Sequence, residues 1–377
     1  MKIVLTGGGT GGHFYPIIAI AEAIHRIEDR EHLVGVELYY ISDDPYNKEL
    51  LQSAGLRYVD IQTGKRRTYF SIKNFIDLFK IGFACINATV RLFLIYPDVV
   101  FGKGGYASFP TLFAARLLRI PVVIHESDIS LGRVNKWAEP FAEKIAISYP
   151  ETQASISKNP ERVALTGIPI RASMLNTPEG DSYEHLKLDP NIPTILVLGG
   201  SQGSETINEH IMDIIHKLVD SYQVIHQTGE ENVAWMKKRA EGALSGNPNK
   251  DRYRPLAYLD STTLRHAASV SSLVVSRAGS TIFEIALWGK PSILIPLAIA
   301  RGDHQRENAY SYARAGACTV IEEANLRPEL LFSVIENLMT HEDQRQKMID
   351  GSKKFAHTDA ADKIAQGIIN IALKHAA

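Results

Sequence analysis

Short apolar runs alternate with longer stretches in which apolar residues recur every three or four positions, a pattern that predicts strands alternating with helices and hence parallel sheets. In the first half, strands are expected at 2–6, 36–42, 58–61, 97–101, 121–126 and 144–148, with a further extended stretch in 163–171. In the second half they are expected at 194–198, 224–229, 253–259, 273–276 and 291–296, the last running into a loop over 301–308. Helices are expected from residue 17, over 111–118, over 360–374, and over 207–219, where Ile207, Ile211, Ile214, Ile215 and Leu218 share one face. Between 171 and 190 the periodicity lapses into polar sequence broken by Pro178, Gly180 and Pro190, which marks a linker. A chain of 377 residues is long enough for two cores. The expected organisation is a first domain over 1–170, the linker 171–190, a second domain over 191–350 and a C-terminal helical segment over 351–377.

One segment carries more apolar surface than a sheet-packed helix needs. After Lys65-Arg66-Arg67, the residues Ile72, Phe75, Ile76, Phe79 and Phe83 fall on one helical face, yet Leu78 and Ile81 are apolar on another. With Lys73, Lys80 and Arg91 close by, the surplus suits docking on an anionic bilayer through Phe75, Phe79, Phe83, Lys73 and Lys80. The alternative is a helix buried on two sides with its lysines in water.

Composition narrows the class. The chain is 45% hydrophobic, with 41 basic and 42 acidic residues, so its net charge of −1 offers no general attraction to nucleic acid. Cys85 and Cys318 are too few for a disulfide framework or a cysteine-built zinc site and fit a reducing cytoplasm. With its first residues in strand one, the chain is expected to carry no signal peptide. No apolar run approaches the ~20 residues of a spanning helix.

The candidate chemistry begins at the first strand's end. Gly7-Gly8-Gly9-Thr10-Gly11-Gly12 places five glycines within six residues, between a strand and a helix. Backbone can approach a ligand closely there, and the unpaired N–H groups of the helix start favour a phosphate. Gly7, Gly9 and Gly12 also match the dinucleotide spacing, a weak signal by itself. His13 follows at once, either a surface or helix-capping residue or an imidazole able to take a proton from whatever the turn holds in place. The same strand-turn-helix design returns at Gly102-Lys103-Gly104-Gly105-Tyr106, at Gly199-Gly200-Ser201-Gln202-Gly203 and at Ser276-Arg277-Ala278-Gly279-Ser280. A further strand ends on His125-Glu126-Ser127-Asp128, polar residues that are either functional or bonded strand-end groups.

Five motifs occur in order across most of the chain: Gly-Gly-Thr-Gly-Gly-His-x-x-Pro over 8–16, Gly104-Gly105-Tyr106, Gly199-Gly200-Ser201-Gln202-Gly203, Ser276-Arg277-Ala278-Gly279, and Asp303-His304-Gln305 with Asn308-Ala309. Together they closely resemble the MurG family of glycosyltransferases. The resemblance implies an α/β GT-B fold, two Rossmann-like domains with parallel sheets facing across a cleft. It implies inverting transfer of N-acetylglucosamine from UDP-GlcNAc to lipid I, undecaprenyl-diphospho-N-acetylmuramoyl-pentapeptide, giving lipid II for peptidoglycan and hence for cell shape and division. The implied enzyme is peripheral on the cytoplasmic face of the cell membrane, meets an anionic inner-membrane surface, and uses no metal and no cofactor.

In family terms His13 is the base. Thr10, Gly11, Gly12, Asp128, Arg171, Ser201, Ser280, Thr281, Glu284 and Gln305 contact the donor, Arg171 helping to stabilise the leaving diphosphate and Glu284 binding the ribose hydroxyls. Gly104, Gly105 and Tyr106 lie near the acceptor. Helix capping is the structural role open to Ser201, Ser280 and Thr281. The chain departs from the family pattern at Asp128, where asparagine is frequent, at Ile168 in place of the asparagine of Gly-Asn-Pro, and in a segment 279–284 one residue shorter. An ionised aspartate only accepts hydrogen bonds, so these departures bear on sugar recognition. Related readings are a glycosyltransferase acting on diacylglycerol, a UDP-sugar epimerase, and a non-catalytic sugar-nucleotide-binding protein; a dehydrogenase fits poorly, because the second half repeats the phosphate-binding design.

Overall fold

The computed structural model describes residues 1–8, 11–64, 72–156, 160–176, 178, 180–200, 202–298 and 303–376, excepting the side chains of 72–78 and 376. They divide into two compact units: Met1–Ala172 with His357–Ala377, and Ser173–Ala356.

In the first unit the elements run β1 Lys2–Thr6, α1 Gly11–Glu31, β2 Glu37–Ser42, α2 Lys48–Ser53, β3 Leu56–Asp60, α3 Ile72–Ile95, β4 Val99–Gly102, α4 Phe109–Leu117, β5 Val122–Glu126, α5 Arg133–Ala138, β6 Lys144–Ile147 and β7 Val163–Leu165. The strands form one parallel sheet in the order β3-β2-β1-β4-β5-β6-β7. Successive residues of β1 face opposite sides, as a strand requires. Ile3 and Leu5 join the core under α1, whereas Val4 joins the core under α3 and α4.

α1 begins at Gly11, six residues before the start expected from the apolar pattern. Pro16 lies inside it without breaking it, since its fixed φ is helical and near the N-terminus it forfeits only one bond. The consequence is functional: His13 stands in a first helical turn rather than in a loop.

After the short α6 Ala172–Leu175 and α7 Ser182–Leu186, the second unit runs β8 Thr194–Leu198, α8 Glu205–Ser221, β9 Gln223–Gln227, α9 Val233–Ala243, β10 Tyr253–Leu256, α10 Ser261–Val270, β11 Ser271–Ser276, α11 Thr281–Trp288, β12 Ser292–Leu294, α12 His304–Arg314, β13 Cys318–Val320, α13 Pro328–Thr340 and α14 Glu342–Phe355. Its parallel sheet has the order β10-β9-β8-β11-β12-β13. The expected loop 301–308 is corrected here, because His304 to Asn308 form the first turns of α12. Asn308, Ala309, Ser311 and Tyr312 are its buried face, a stripe too short and too polar to stand out in a polar stretch.

The last helix, α15 Ala360–Ala376, returns to the first unit. Ile364, Ala365, Ile368, Ile369 and Ala372 bury themselves against Ile17, Ile20, Ile24 and Ile27 of α1. Each isoleucine contributes about 1.5–3 kcal/mol by leaving water, so this helix seals one face of the first sheet.

Candidate functional site

In an open parallel sheet, the crevice outside the carboxyl ends lies where the strand order reverses, and in the first unit that point falls between β1 and β4. Both glycine turns leave from it. Gly105 has φ +81°, and a Cβ there would stand 2.8 Å from the Gly8 carbonyl oxygen, so only glycine lets the two turns meet. The same position is 3.5 Å from Cδ2 and Nε2 of His13, which places the imidazole edge against the second turn. Burial, and next the Lys103 ammonium, push the His13 pKa down from 6.5 to about 3, so the ring is neutral at physiological pH.

A buried polar layer supports these turns. Lys103 is 2% exposed, its ammonium bonds Ser127 Oγ, and its pKa is pushed down to about 8 by burial against the opposing pull of Glu126 and Asp128. Glu126 accepts from Ser127 N at 2.9 Å, Asp128 N at 3.2 Å, Gly132 N at 2.8 Å and Asn135 Nδ2 at 2.9 Å. Its carboxylate shapes the loop that carries Asp128. His125 is wholly buried, with Nε2 2.9 Å from the Gly167 carbonyl, and burial holds it far below its ordinary pKa. Of the two roles open to His125 and Glu126, bracing of the strand end is the one their contacts support.

Tyr106 donates to Asp43 Oδ2 at 2.6 Å. Gly11 and Gly12 open α1, and the hydroxyl of Tyr46 stands 2.9 Å from where a Cβ on Gly11 would be. The Arg171 guanidinium lies 4.6 Å over the ring of Tyr15. Thr10 lies outside the described residues, as do Ser201 and the side chains of Lys73 and Phe75.

The second unit repeats the design on its own sheet, where the order reverses between β8 and β11. Gly203 has φ +78°, and the turn it closes leads to Ser204, whose hydroxyl caps α8 by accepting from Ile207 N at 3.3 Å. At the β11 turn Ser280 occupies the N-cap of α11 but makes no side-chain cap hydrogen bond. Ser280, Thr281 and Glu284 share one face by helical spacing, at a helix start where N–H groups favour an anion. Gln305, in the first turn of α12, accepts from Leu297 N at 3.0 Å. The sequence reading missed Lys103, Arg277 and Glu323 as supports; Lys103 and Arg277 sat within motifs already noted, while Glu323 carried no local signal. Among the described residues, no group of three or more His, Cys, Asp or Glu is placed to hold a metal ion.

Residues 3–147 match the glycosyltransferase family 28 N-terminal domain, and residues 194–364 match the family 28 C-terminal domain. A UDP-N-acetylglucosamine–N-acetylmuramyl-(pentapeptide) pyrophosphoryl-undecaprenol N-acetylglucosamine transferase of Clostridium novyi is 34% identical over 368 residues, covering 96% of each chain. Its counterpart in Clostridium perfringens is 36% identical over 374 residues, covering 98% of this chain and 96% of its own. Among solved structures, MurG of Acinetobacter baumannii aligns with a TM-score of 0.71 at 24% identity, over 98% of this chain and 99% of that one. The UDP complex of Staphylococcus aureus MnaA aligns with a TM-score of 0.71 at 14% identity, over 98% of both, a likeness of fold.

Proposed function

We infer the reaction from one premise: this chain belongs to glycosyltransferase family 28. It is a UDP-GlcNAc-dependent hexosyltransferase of peptidoglycan synthesis, moving N-acetylglucosamine onto the lipid-linked N-acetylmuramoyl-pentapeptide, lipid I, to form lipid II. The observation that carries this is 34% identity to a named transferase over 96% of the chain.

In our reading the acceptor hydroxyl oxygen bonds to the anomeric carbon as that carbon's bond to UDP breaks, inverting the centre. The hydroxyl proton passes to neutral His13, and the bonding pair leaves with the diphosphate. Gly104, Gly105 and Tyr106 face the acceptor in this scheme. Ser280, Thr281, Gln305 and the N–H groups opening α11 take up charge on the leaving diphosphate, and Glu284 accepts from the ribose hydroxyls. Thr10, Gly11, Gly12, Asp128, Arg171 and Ser201 complete the donor contacts. The test is UDP release from UDP-GlcNAc with and without a lipid I analogue. Acceptor-dependent release is expected; release of UDP without acceptor would favour an epimerase-type reaction.

Docking on the cytoplasmic leaflet, suited to a lipid-linked acceptor, is assigned in this reading to α3. Phe79, Phe83, Ile86, Val90 and Phe93, spaced by three and four, are all at least half exposed, while Ala84, Ala88 and Leu92 are buried. The apolar face that includes Phe79 and Phe83 therefore points outward, continues further along the helix than the sequence reading followed it, and carries exposed Lys80 and Arg91 beside it. Among the described residues no helix is long and apolar enough to cross a membrane. Moving three phenylalanines into lipid contributes about 5 kcal/mol. Flotation with phosphatidylglycerol vesicles is therefore expected to retain the parent and to lose a Phe79→Ser, Phe83→Ser, Phe93→Ser variant; equal recovery of both would remove α3 from the membrane-binding surface.

A further inference from the structure

At the carboxyl edge of the second sheet one ion pair ties four chain segments together. Arg277 Nη2 donates to Glu323 Oε1 at 2.5 Å and to Ser204 Oγ at 2.7 Å, and its Nη1 donates to the Ile295 carbonyl at 3.1 Å. Both charged side chains are nearly buried, at 11% and 15% exposure. The second carboxylate oxygen, Glu323 Oε2, accepts from Ala298 N at 2.9 Å. One residue earlier, Leu297 N donates to Gln305 Oε1 at 3.0 Å. Leu297 is 37% exposed and Ala298 is exposed, so these hydrogen bonds fix the backbone of a segment that packing holds only in part. The neighbouring Glu322 accepts from Arg306 Nε at 2.9 Å and from Tyr310 Oη at 2.7 Å, which anchors α12, the helix carrying Gln305, to the same turn.

The bond from Leu297 decides which way the Gln305 amide faces. A backbone N–H can be received only by the amide oxygen, so Oε1 is committed to Leu297 and the NH2 group is left to donate elsewhere. Two N–H donors held in a fixed direction suit an oxygen-rich ligand such as a diphosphate or a sugar hydroxyl.

We propose that Glu323 is a positioning residue of the donor site: with Arg277 it holds the 297–298 segment, which turns the Gln305 amide donors toward the diphosphate or sugar hydroxyls of UDP-GlcNAc. The proposal rests on the reading above that places the donor in this unit. Glu323 touches no substrate and acts through Gln305.

The test combines steady-state kinetics and backbone amide exchange on full-length Glu323→Gln, Gln305→Ala and the double variant. Each single change is expected to raise KM for UDP-GlcNAc about tenfold, the worth of one good hydrogen bond, with acceptor KM unchanged. The double variant is expected to match Gln305→Ala alone, and exchange at 297–298 is expected to quicken in Glu323→Gln. Multiplying effects in the double variant, an equal rise in acceptor KM, or unaltered exchange would overturn the clamp. An unaltered donor KM in Gln305→Ala alongside faster exchange in Glu323→Gln would instead overturn the donor placement. Gln305→Glu, which does not depend on Glu323 variants folding, keeps an oxygen for Leu297 N but puts a second oxygen where the NH2 stood. Its donor KM is expected to exceed that of Gln305→Ala, and a smaller rise would overturn the assigned orientation.

Discussion

Replacing His13 by alanine is expected to lower kcat for acceptor-dependent UDP release by about 10²-fold, the low end for a positioned base because its lowered pKa makes it a weaker one, with UDP-GlcNAc binding little changed. The imidazole is held against Gly105 at the point where the strand order reverses, and its conjugate acid is disfavoured by burial and by Lys103. The sign of that shift sets the pH behaviour. With a folded pKa of about 3, against 6.5 in the open chain, the ring stays neutral as pH falls through 6.5. The kcat/KM profile should therefore show no acid limb near 6.5 from this residue, and an inflection there that vanished in His13→Ala would contradict the assignment. The same shift makes His13 a source of acid lability: its contribution is complete above 6.5 and is lost progressively toward about 3, because the unfolded chain takes up the proton first.

A methyl group at Gly203 is expected to cost on the order of 4 kcal/mol or more and to abolish UDP binding, whereas the same change at Gly200 should cost only about 1–2 kcal/mol. Both glycines have φ in the left-handed region, at +78° and +89°. At Gly203, however, a Cβ would lie 1.9 Å from the Thr228 carbonyl oxygen and 2.6 Å from its carbon, and backbone cannot swing aside as a side chain can. At Gly200 nothing lies within 4 Å, so only the conformational penalty remains. Urea denaturation of the two alanine variants beside the parent measures the difference. Equal midpoints would mean that the β8 turn does not pack against the β9 end as described.

The glycine turns were legible because their function needs one residue type, glycine, repeated at short range. Backbone-to-backbone approach and an anion-binding helix start both leave local marks, and His13 stands directly beside one. The supporting layer was not legible. Glu126 could be read as reactive or as bonded, and its four hydrogen bonds from Ser127, Asp128, Gly132 and Asn135 decided for bonding. Glu323 lies 46 residues from Arg277, a separation at which no spacing argument reaches. The helical state of His304 to Asn308 was hidden for a related reason: a short buried stripe of mostly polar residues, Asn308, Ala309, Ser311 and Tyr312, gives no periodic apolar signal.

The sequence by itself determined two parallel α/β sheets, the glycine turns at their carboxyl ends, His13 beside the first turn, and the glycosyltransferase reading carried by five ordered motifs. These follow from local periodicity and from residues whose backbone freedom or titration is uncommon. Only the tertiary structure decided that α15 completes the first unit, that the Phe79–Phe83 face of α3 points outward, and that Arg277 with Glu323 ties the turns of the second sheet together. An apolar stripe shows that a helix can be buried but not which neighbour buries it. A charged residue likewise shows that a partner is needed, and only the fold says which one stands within reach.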